Sequence, residues 1–227
     1  MVTYKRVRSE QDLLIYLLFG GIKLYRKYIK RILDFLIALV ALIVTSPISL
    51  IVIIAIKLDS KGPVIFKQIR TGYKGKDFVT YKFRTMKVET HDKDGREFTH
   101  DERCTKLGNV IRKLSIDELP QLVNILKGEM SLIGPRPWIT EYYKYFSKEQ
   151  KKRCDVLPGM TGLAQAMGRN NLNIFEKINY DIEYTKNVSF KMDLRVIFET
   201  IKTVLSKTGA EIKQEEIQNE INMLKSQ

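Results

Sequence analysis

The hydrophobic positions of this chain fall into one long block and several short periodic ones. From Phe35 to Ile56, 22 residues run without a single charge. A helix of that length, rising about 1.5 Å per residue, reaches ~33 Å and matches a hydrocarbon core of about 30 Å. The pattern therefore predicts a membrane segment. Pro47 falls near its centre, where it removes a backbone donor and its ring collides with the carbonyl of Ile43, so a kink or break is expected there. Thr45, Ser46 and Ser49 are placed to bond the carbonyls left over. Lys23, Arg26, Lys27, Lys30 and Arg31 precede the block, and Lys57, Lys61, Lys67 and Arg70 follow it. Basic residues gather on the cytoplasmic side, so this near-even split predicts a re-entrant hairpin that enters, bends at Ser46-Pro47 and returns. A kinked single-pass helix stays open on residue physics alone. Upstream, the apolar stretch Leu13 to Phe19 follows Lys5, Arg6 and Arg8 but lacks a small-residue cleavage site, so it reads as an interfacial or packing helix rather than a secretory signal.

Beyond the block the periods shorten. A strand at Val64 to Phe66, turn residues Gly72 and Gly75, and a strand from Phe78 to Phe83 make a hairpin, with Val79, Tyr81 and Phe83 on one face. A polar loop from Glu89 to Arg103 follows. Leu119, Leu122, Val123 and Leu126 then recur at helical spacing, with Gly128 as the stop. Phe190, Leu194, Ile197, Ile201 and Leu205 form another stripe, with Lys191, Arg195, Lys202 and Lys207 among its polar positions, and such a basic helix suits a membrane surface. After Thr208 the chain turns acidic, and Ile217, Ile221 and Leu224 predict a last short helix.

Composition adds limits. The chain has 227 residues with 39 Lys and Arg against 26 Asp and Glu, a formal charge of +13. That excludes a disordered or collagenous chain and fits one compact domain with an appendage. The charge asks for an anionic partner: nucleic acid, phospholipid or a phosphorylated substrate. Cys104 and Cys154 have neither CxxC spacing nor a nearby His pair, so they read as free thiols, not a disulfide or zinc site.

Candidate chemistry is densest in RKLSIDELPQLVNILKGEMSLIGPRP, Arg112 to Pro137. Either Ser115 caps a helix with Glu118 in a capping box, or Asp117 is the cap and Pro120 lies in the first turn. Both alternatives put Asp117 at a helix N-terminus, which favours an ionised carboxylate and attracts phosphate. Such a residue can be a plain cap or a nucleophile, and the adjacent carboxylate suits a divalent cation shared with substrate phosphates. Arg136, held between Pro135 and Pro137, is suited to phosphate recognition. The stretch from Pro158 to Gly162, leading to Gly168-Arg169-Asn170, offers backbone donors and a further arginine. Lys82 and Arg84 share a strand face by the period of two, as solvated charge by default.

Taken in order, GPVIFKQIRTGYKG, YKFRTM, IRKLSIDELPQLVNILKGEMSLIGPRP and LPGMTGLAQAMGRN resemble the bacterial sugar transferases called monotopic phosphoglycosyl transferases, from about Lys30 to Lys207. The resemblance implies a mostly helical α/β fold with a small β-hairpin, a re-entrant membrane helix and a compact cytoplasmic catalytic domain with interfacial amphipathic helices. It divides the chain into an N-terminal extension (1–29), the membrane helix (30–58), the catalytic domain (59–207) and an acidic tail (208–227). The implied activity moves a sugar 1-phosphate from a UDP-sugar to polyprenyl phosphate with Mg2+, releasing UMP, at the cytoplasmic face of the bacterial inner membrane. Asp117 would be the nucleophile and Glu118 its metal-associated partner, both counted as metal ligands. Arg112 and Arg136 match phosphate-binding positions, and Arg169 and Lys82 match further motifs. Implied partners are the two substrates, membrane lipids and downstream glycosyltransferases, not nucleic acid, while the sugar stays open. The competing reading is a membrane-tethered basic module that binds anionic lipid or nucleic acid without turnover, although no nucleic-acid-binding signature is present.

Overall fold

The computed structural model describes residues 24–91, 94–168, 172–205 and 214–226. The Leu13 to Phe19 stretch, Arg169 and the start of the acidic tail lie outside these residues.

A π-helical turn, Tyr25–Ile29, leads into α1, Lys30–Asp59. The helix persists through Pro47. Ser46 Oγ donates to the Ile43 carbonyl at 2.8 Å, the acceptor that Pro47 leaves unpaired, and Thr45 Oγ1 donates to Ala41 O at 2.7 Å. Both halves of α1 rest on the same domain. Near its start Ala38 packs with Leu122, Ile125 and Met130; near its end Val52 and Ile56 pack with Phe83 and Ile111. Between them Ile43, Val44, Leu50 and Ile51 stay exposed. By length and composition this helix is able to cross a membrane.

The hairpin pairs β1, Ile65–Thr71, with β2, Asp77–Phe83, antiparallel, in the register Phe66 to Lys82 and Arg70 to Phe78. The first strand is longer than its apolar pattern suggests, because it continues through the polar positions Lys67, Gln68 and Arg70, of which Arg70 finds the Pro137 carbonyl only in the folded domain. The stretch read as a polar loop ends in α2, His100–Arg103, and α3, Lys106–Lys113, follows it. Thr105 caps α3 by accepting from the Gly108 amide, and a Cβ on Gly108 would lie 2.0 Å from the Thr85 carbonyl. Only glycine allows the helix to approach the end of β2 this closely.

Next come α4, Gln121–Lys127, which ends at Gly128 with φ 84°, and β3, Ser131–Ile133. Helix α5, Thr140–Tyr145, connects onward to β4, Gly159–Thr161, which pairs parallel with β3. Helices α6, Leu163–Met167, α7, Ile174–Lys186, α8, Phe190–Leu205, and α9, Gln214–Lys225, complete the order. The molecule is mostly helical with two small sheets. The α8 stripe leaves Phe190, Leu194, Ile197, Phe198 and Ile201 exposed while Val196 is sealed inside. Within the tail, α9 buries Ile221 and Leu224 against Tyr142, Phe146 and Ile178, and Glu220 accepts from Tyr142 Oη and Lys177 Nζ.

A polar knot fastens α1 to this body. Asp34 accepts from Ser131 Oγ at 2.7 Å and from the Leu132 amide at 3.1 Å. Asp193 accepts from Tyr25 Oη, Lys30 Nζ and Tyr184 Oη at 2.6, 2.8 and 2.7 Å. Each buried oxygen therefore meets a donor, as burial of a carboxylate requires.

Candidate active site

The carboxylate pair sits on a turn, not on the first turn of an α-helix. Ser115 is left-handed at φ 56°, Ile116–Glu118 form a 3-10 turn, and α4 begins only after Pro120. Neither expected cap forms. Ser115 makes no side-chain cap bond, and the Glu118 side chain turns toward β2. A left-handed non-glycine residue costs roughly 1–2 kcal/mol. Here it reverses the chain between α3 and the 3-10 turn and presents two successive carboxylates to one place.

Glu118 Oε1 accepts from Lys82 Nζ at 2.6 Å and from Arg136 Nη2 at 2.9 Å. Lys82 Nζ also lies 3.7 Å from Asp117 Oδ2. Three separate segments thus meet: the strand position Lys82, the 3-10 turn and the Pro-Arg-Pro loop after β3. Burial pushes Glu118 up, but the charges and hydrogen bonds of Arg136 and Lys82 outweigh it and hold the carboxyl at about 2. Asp117 goes the other way: its burial dominates, Glu118 adds like-charge repulsion, and its carboxyl is raised despite Lys82. Two neighbouring carboxylates are pushed apart in basicity, the arrangement that separates catalytic roles. Of the two, Asp117 is the more basic carboxylate.

The YKFRTM segment distributes its side chains among three tasks. Lys82 reaches the carboxylates. Arg84 is not solvated and does not reach the site; it is buried and donates to the Ser60 carbonyl at 2.7 Å and to the Lys61 carbonyl, gripping the end of α1. Thr85 Oγ1 accepts from Arg112 Nε at 2.9 Å, and Arg112 Nη1 reaches Cys104 Sγ at 3.3 Å. So fixed, Arg112 lies near enough to Asp117 for its charge to offset part of the rise in that carboxyl's pKa.

Sequence reasoning missed Arg70. Its guanidinium donates to Gln68 Oε1 at 2.6 Å and to the Pro137 carbonyl at 3.4 Å. It sits close enough to Arg136 and Glu118 to feel both, with its pKa brought down to about 10 by burial first and by Arg136 second. The signal was available in the hairpin register, which sets Arg70 and Lys82 on one face, but that register depends on a turn whose length the pattern leaves ambiguous. Of the site residues expected from sequence, Asp117, Glu118, Lys82 and Arg136 come together and Arg112 flanks them; Arg169 lies outside the described residues.

Four cations, Lys82, Arg70, Arg112 and Arg136, therefore surround two carboxylates. The surplus positive charge fits a multiply anionic ligand such as a diphosphate. Among the described residues no cluster of three or more His, Cys, Asp or Glu could cage a metal ion. The pair Asp117 and Glu118 fits instead the Mg2+ habit of one or two carboxylates supplemented by substrate phosphate oxygens.

Residues 25–207 match the family described as bacterial sugar transferase, and the chain belongs to that family. It is 44% identical over 181 residues to an uncharacterized sugar transferase, EpsL, of Bacillus subtilis, covering 80% of this chain and 89% of the relative. It is 43% identical over 193 residues to the UDP-N-acetylgalactosamine-undecaprenyl-phosphate N-acetylgalactosaminephosphotransferase of Aeromonas hydrophila, covering 81% of this chain and 45% of the relative. Identity to the UDP-glucose:undecaprenyl-phosphate glucose-1-phosphate transferase of Escherichia coli is 40% over 184 residues, 77% of this chain and 40% of that one. The chain thus spans most of the first relative but less than half of the other two.

Proposed function

We propose that this protein transfers a sugar 1-phosphate from a UDP-sugar to polyprenyl phosphate through a phosphosugar-aspartate intermediate on Asp117, opening glycoconjugate assembly at the cytoplasmic face of the inner membrane. The observation that carries this reading is the geometry of the pair: Glu118 held by Lys82 and Arg136, and Asp117 3.7 Å from the same Lys82, inside a surplus of cations. In the first step an Asp117 carboxylate oxygen attacks the phosphorus that bears the sugar. The phosphorus–oxygen bond to the uridine phosphate breaks, and UMP leaves with the electron pair. In the second step an oxygen of polyprenyl phosphate attacks the same phosphorus, the bond to Asp117 breaks, and the carboxylate is restored.

Arg136 and Lys82 keep Glu118 ionised and, with Arg70 and Arg112, hold the diphosphate against Asp117. Asp117 and Glu118 are the residues that would hold Mg2+, which when bound offsets charge on the phosphates and the departing UMP. Contact of both halves of α1 with one domain supports a re-entrant segment over 30–58, because a helix crossing the bilayer would carry one half away from a domain on a single side. The exposed apolar face of α8 supports a catalytic domain, 59–207, seated on the same membrane. Relatives acting on UDP-sugars and undecaprenyl phosphate support the substrate classes.

The test is UMP release by purified protein in nanodiscs given undecaprenyl phosphate, Mg2+ and a panel of UDP-sugars, with Asp117→Asn in parallel. One sugar is expected to be turned over by the wild type and none by the variant. Equal turnover in Asp117→Asn would refute the mechanism.

A further inference from the structure

The Pro-Arg-Pro loop cannot hold itself in place. Pro135 and Pro137 bring no backbone N–H, so the segment has few donors for a ladder of its own, and its carbonyls need partners from elsewhere. The structure supplies one for each of four consecutive residues. Pro135 O accepts from the Gly159 amide at 3.0 Å, and Trp138 O from the Thr71 amide at 2.9 Å. Between them, Arg136 O accepts from Arg153 Nη2 at 2.8 Å, and Pro137 O from Arg70 Nη1 at 3.4 Å. The Gly159 contact needs glycine, since a Cβ there would lie 2.1 Å from the Gly134 nitrogen.

Arg153 is the unusual partner. Its side chain is 2% exposed and its Nε and Nη2 both donate to Asp181 Oδ2, at 3.0 and 2.6 Å. The guanidinium lies 4.1 Å over the ring of Trp138, the residue that follows the loop. Trp138 in turn packs on Tyr142 and Phe146. A buried ion pair is a poor source of stability, because desolvation offsets the attraction, and here Asp181 Oδ1 also lacks a hydrogen-bond partner among the described residues. What the pair does provide is a neutralised, rigid donor directly behind Arg136. Asp181 cancels the charge that would otherwise repel Arg136 and Arg70, while the planar fork of Arg153 reaches both the carboxylate and the loop carbonyl.

We propose that the buried Arg153–Asp181 pair, stacked beneath Trp138, is a positioning device that aims the Arg136 guanidinium at Glu118 and at the substrate phosphates. The device acts through Arg136 and touches no reacting atom. It rests on the reading of Arg136 as a substrate-binding residue, so the experiment separates the two.

UDP serves as the probe, its affinity for the detergent-purified full chain being measured by isothermal titration calorimetry with Mg2+, and thermal melting is recorded for every variant. Arg136→Ala is measured first. If it leaves UDP affinity unchanged, the reading of the site fails along with the device. If it weakens UDP, the double variant Arg153→Met/Asp181→Leu decides. Apolar replacement of both partners keeps the volume filled, so melting is expected near that of the wild type. UDP affinity is expected to fall about tenfold, the order of a lost charge-assisted contact. Adding Arg136→Ala to the double variant is expected to cost nothing further, because both changes remove the same interaction. Wild-type affinity in the double variant, or losses that simply add, would overturn the proposal. Should the double variant not fold, Arg153→Lys keeps the charge but lacks the second arm of the fork. The same tenfold loss, non-additive with Arg136→Ala, is expected of it, and unchanged affinity would overturn the proposal equally.

Discussion

Asp193 and Glu118 are both surrounded by donors, and they differ in what is left over. Asp193 is sealed: one oxygen takes Tyr25 and Lys30, the other takes Tyr184, and the residue is 4% exposed. Glu118 takes both of its cations on Oε1, beside a second carboxylate, and the Arg136 side chain that grips it remains 40% exposed. A saturated cluster fastens elements together, whereas a cluster with surplus cations and an accessible arm is prepared for a ligand. The first ties α1 to α8; the second keeps an exposed cationic arm beside two carboxylates.

Breaking each cluster should therefore have opposite consequences. The largest effect is expected from Asp117→Asn, with turnover lost on the order of 10^4-fold, the scale of removing a member of a catalytic set. Melting should hold or rise, since burial disfavours the native charge; a large drop in melting temperature would count against the functional role. Asp193→Ala comes next, leaving Tyr25 Oη without its acceptor and Lys30 with only Asp34 at 3.8 Å, while Tyr184 Oη keeps the Ile133 carbonyl at 3.0 Å. It should cost about 3–5 kcal/mol and lower the melting temperature by on the order of 10 °C. The folded fraction should still turn over, and lost activity without lost stability would erase the contrast.

Acid sharpens the comparison further. Glu118 is depressed from its ordinary 4.5 to about 2, so its stabilisation is complete above the ordinary carboxylate range and lost as pH falls from about 4.5 to 2. Asp117, raised, has the opposite sign, so its protonation adds stability and its ionisation costs it. Acid melting curves of Glu118→Gln should lack the loss seen in the wild type over that window. The smallest effect is expected from Ser46→Ala, which strands the Ile43 carbonyl beside Pro47 and should cost about 0.6 kcal/mol by chemical denaturation, the average for hydrogen bonds in membrane helices.

How much of this could be read from sequence follows from the range of each interaction. The uncharged block, the hairpin, the Gly128 stop and the α8 stripe are local patterns, and each names its own element. Asp117 and Glu118 stood out because two carboxylates follow a basic pair beside a proline. Their turn is not legible in the sequence, because Ser115 takes a left-handed conformation that no local pattern announces. Helix α3 gives no clear sequence signal, because it is short and its approach to the end of β2 depends on a single glycine, Gly108. Arg84 was placed with Lys82 by strand alternation, but the chain leaves the strand at Phe83 and the next side chain turns to α1. Arg70, Arg153 and Asp181 act through partners far along the chain, up to 67 residues away for Arg70, and such pairings exist only after folding.

Whether Asp117 carries the sugar phosphate is read directly by intact-protein mass spectrometry. Wild-type protein is mixed with Mg2+ and the UDP-sugar that it turns over, without polyprenyl phosphate. An added mass of one sugar phosphate is expected, localised to Asp117 by proteolysis, absent in Asp117→Asn and discharged on adding polyprenyl phosphate. Wild-type protein that releases UMP only when both substrates are present, and never carries the added mass, would contradict it.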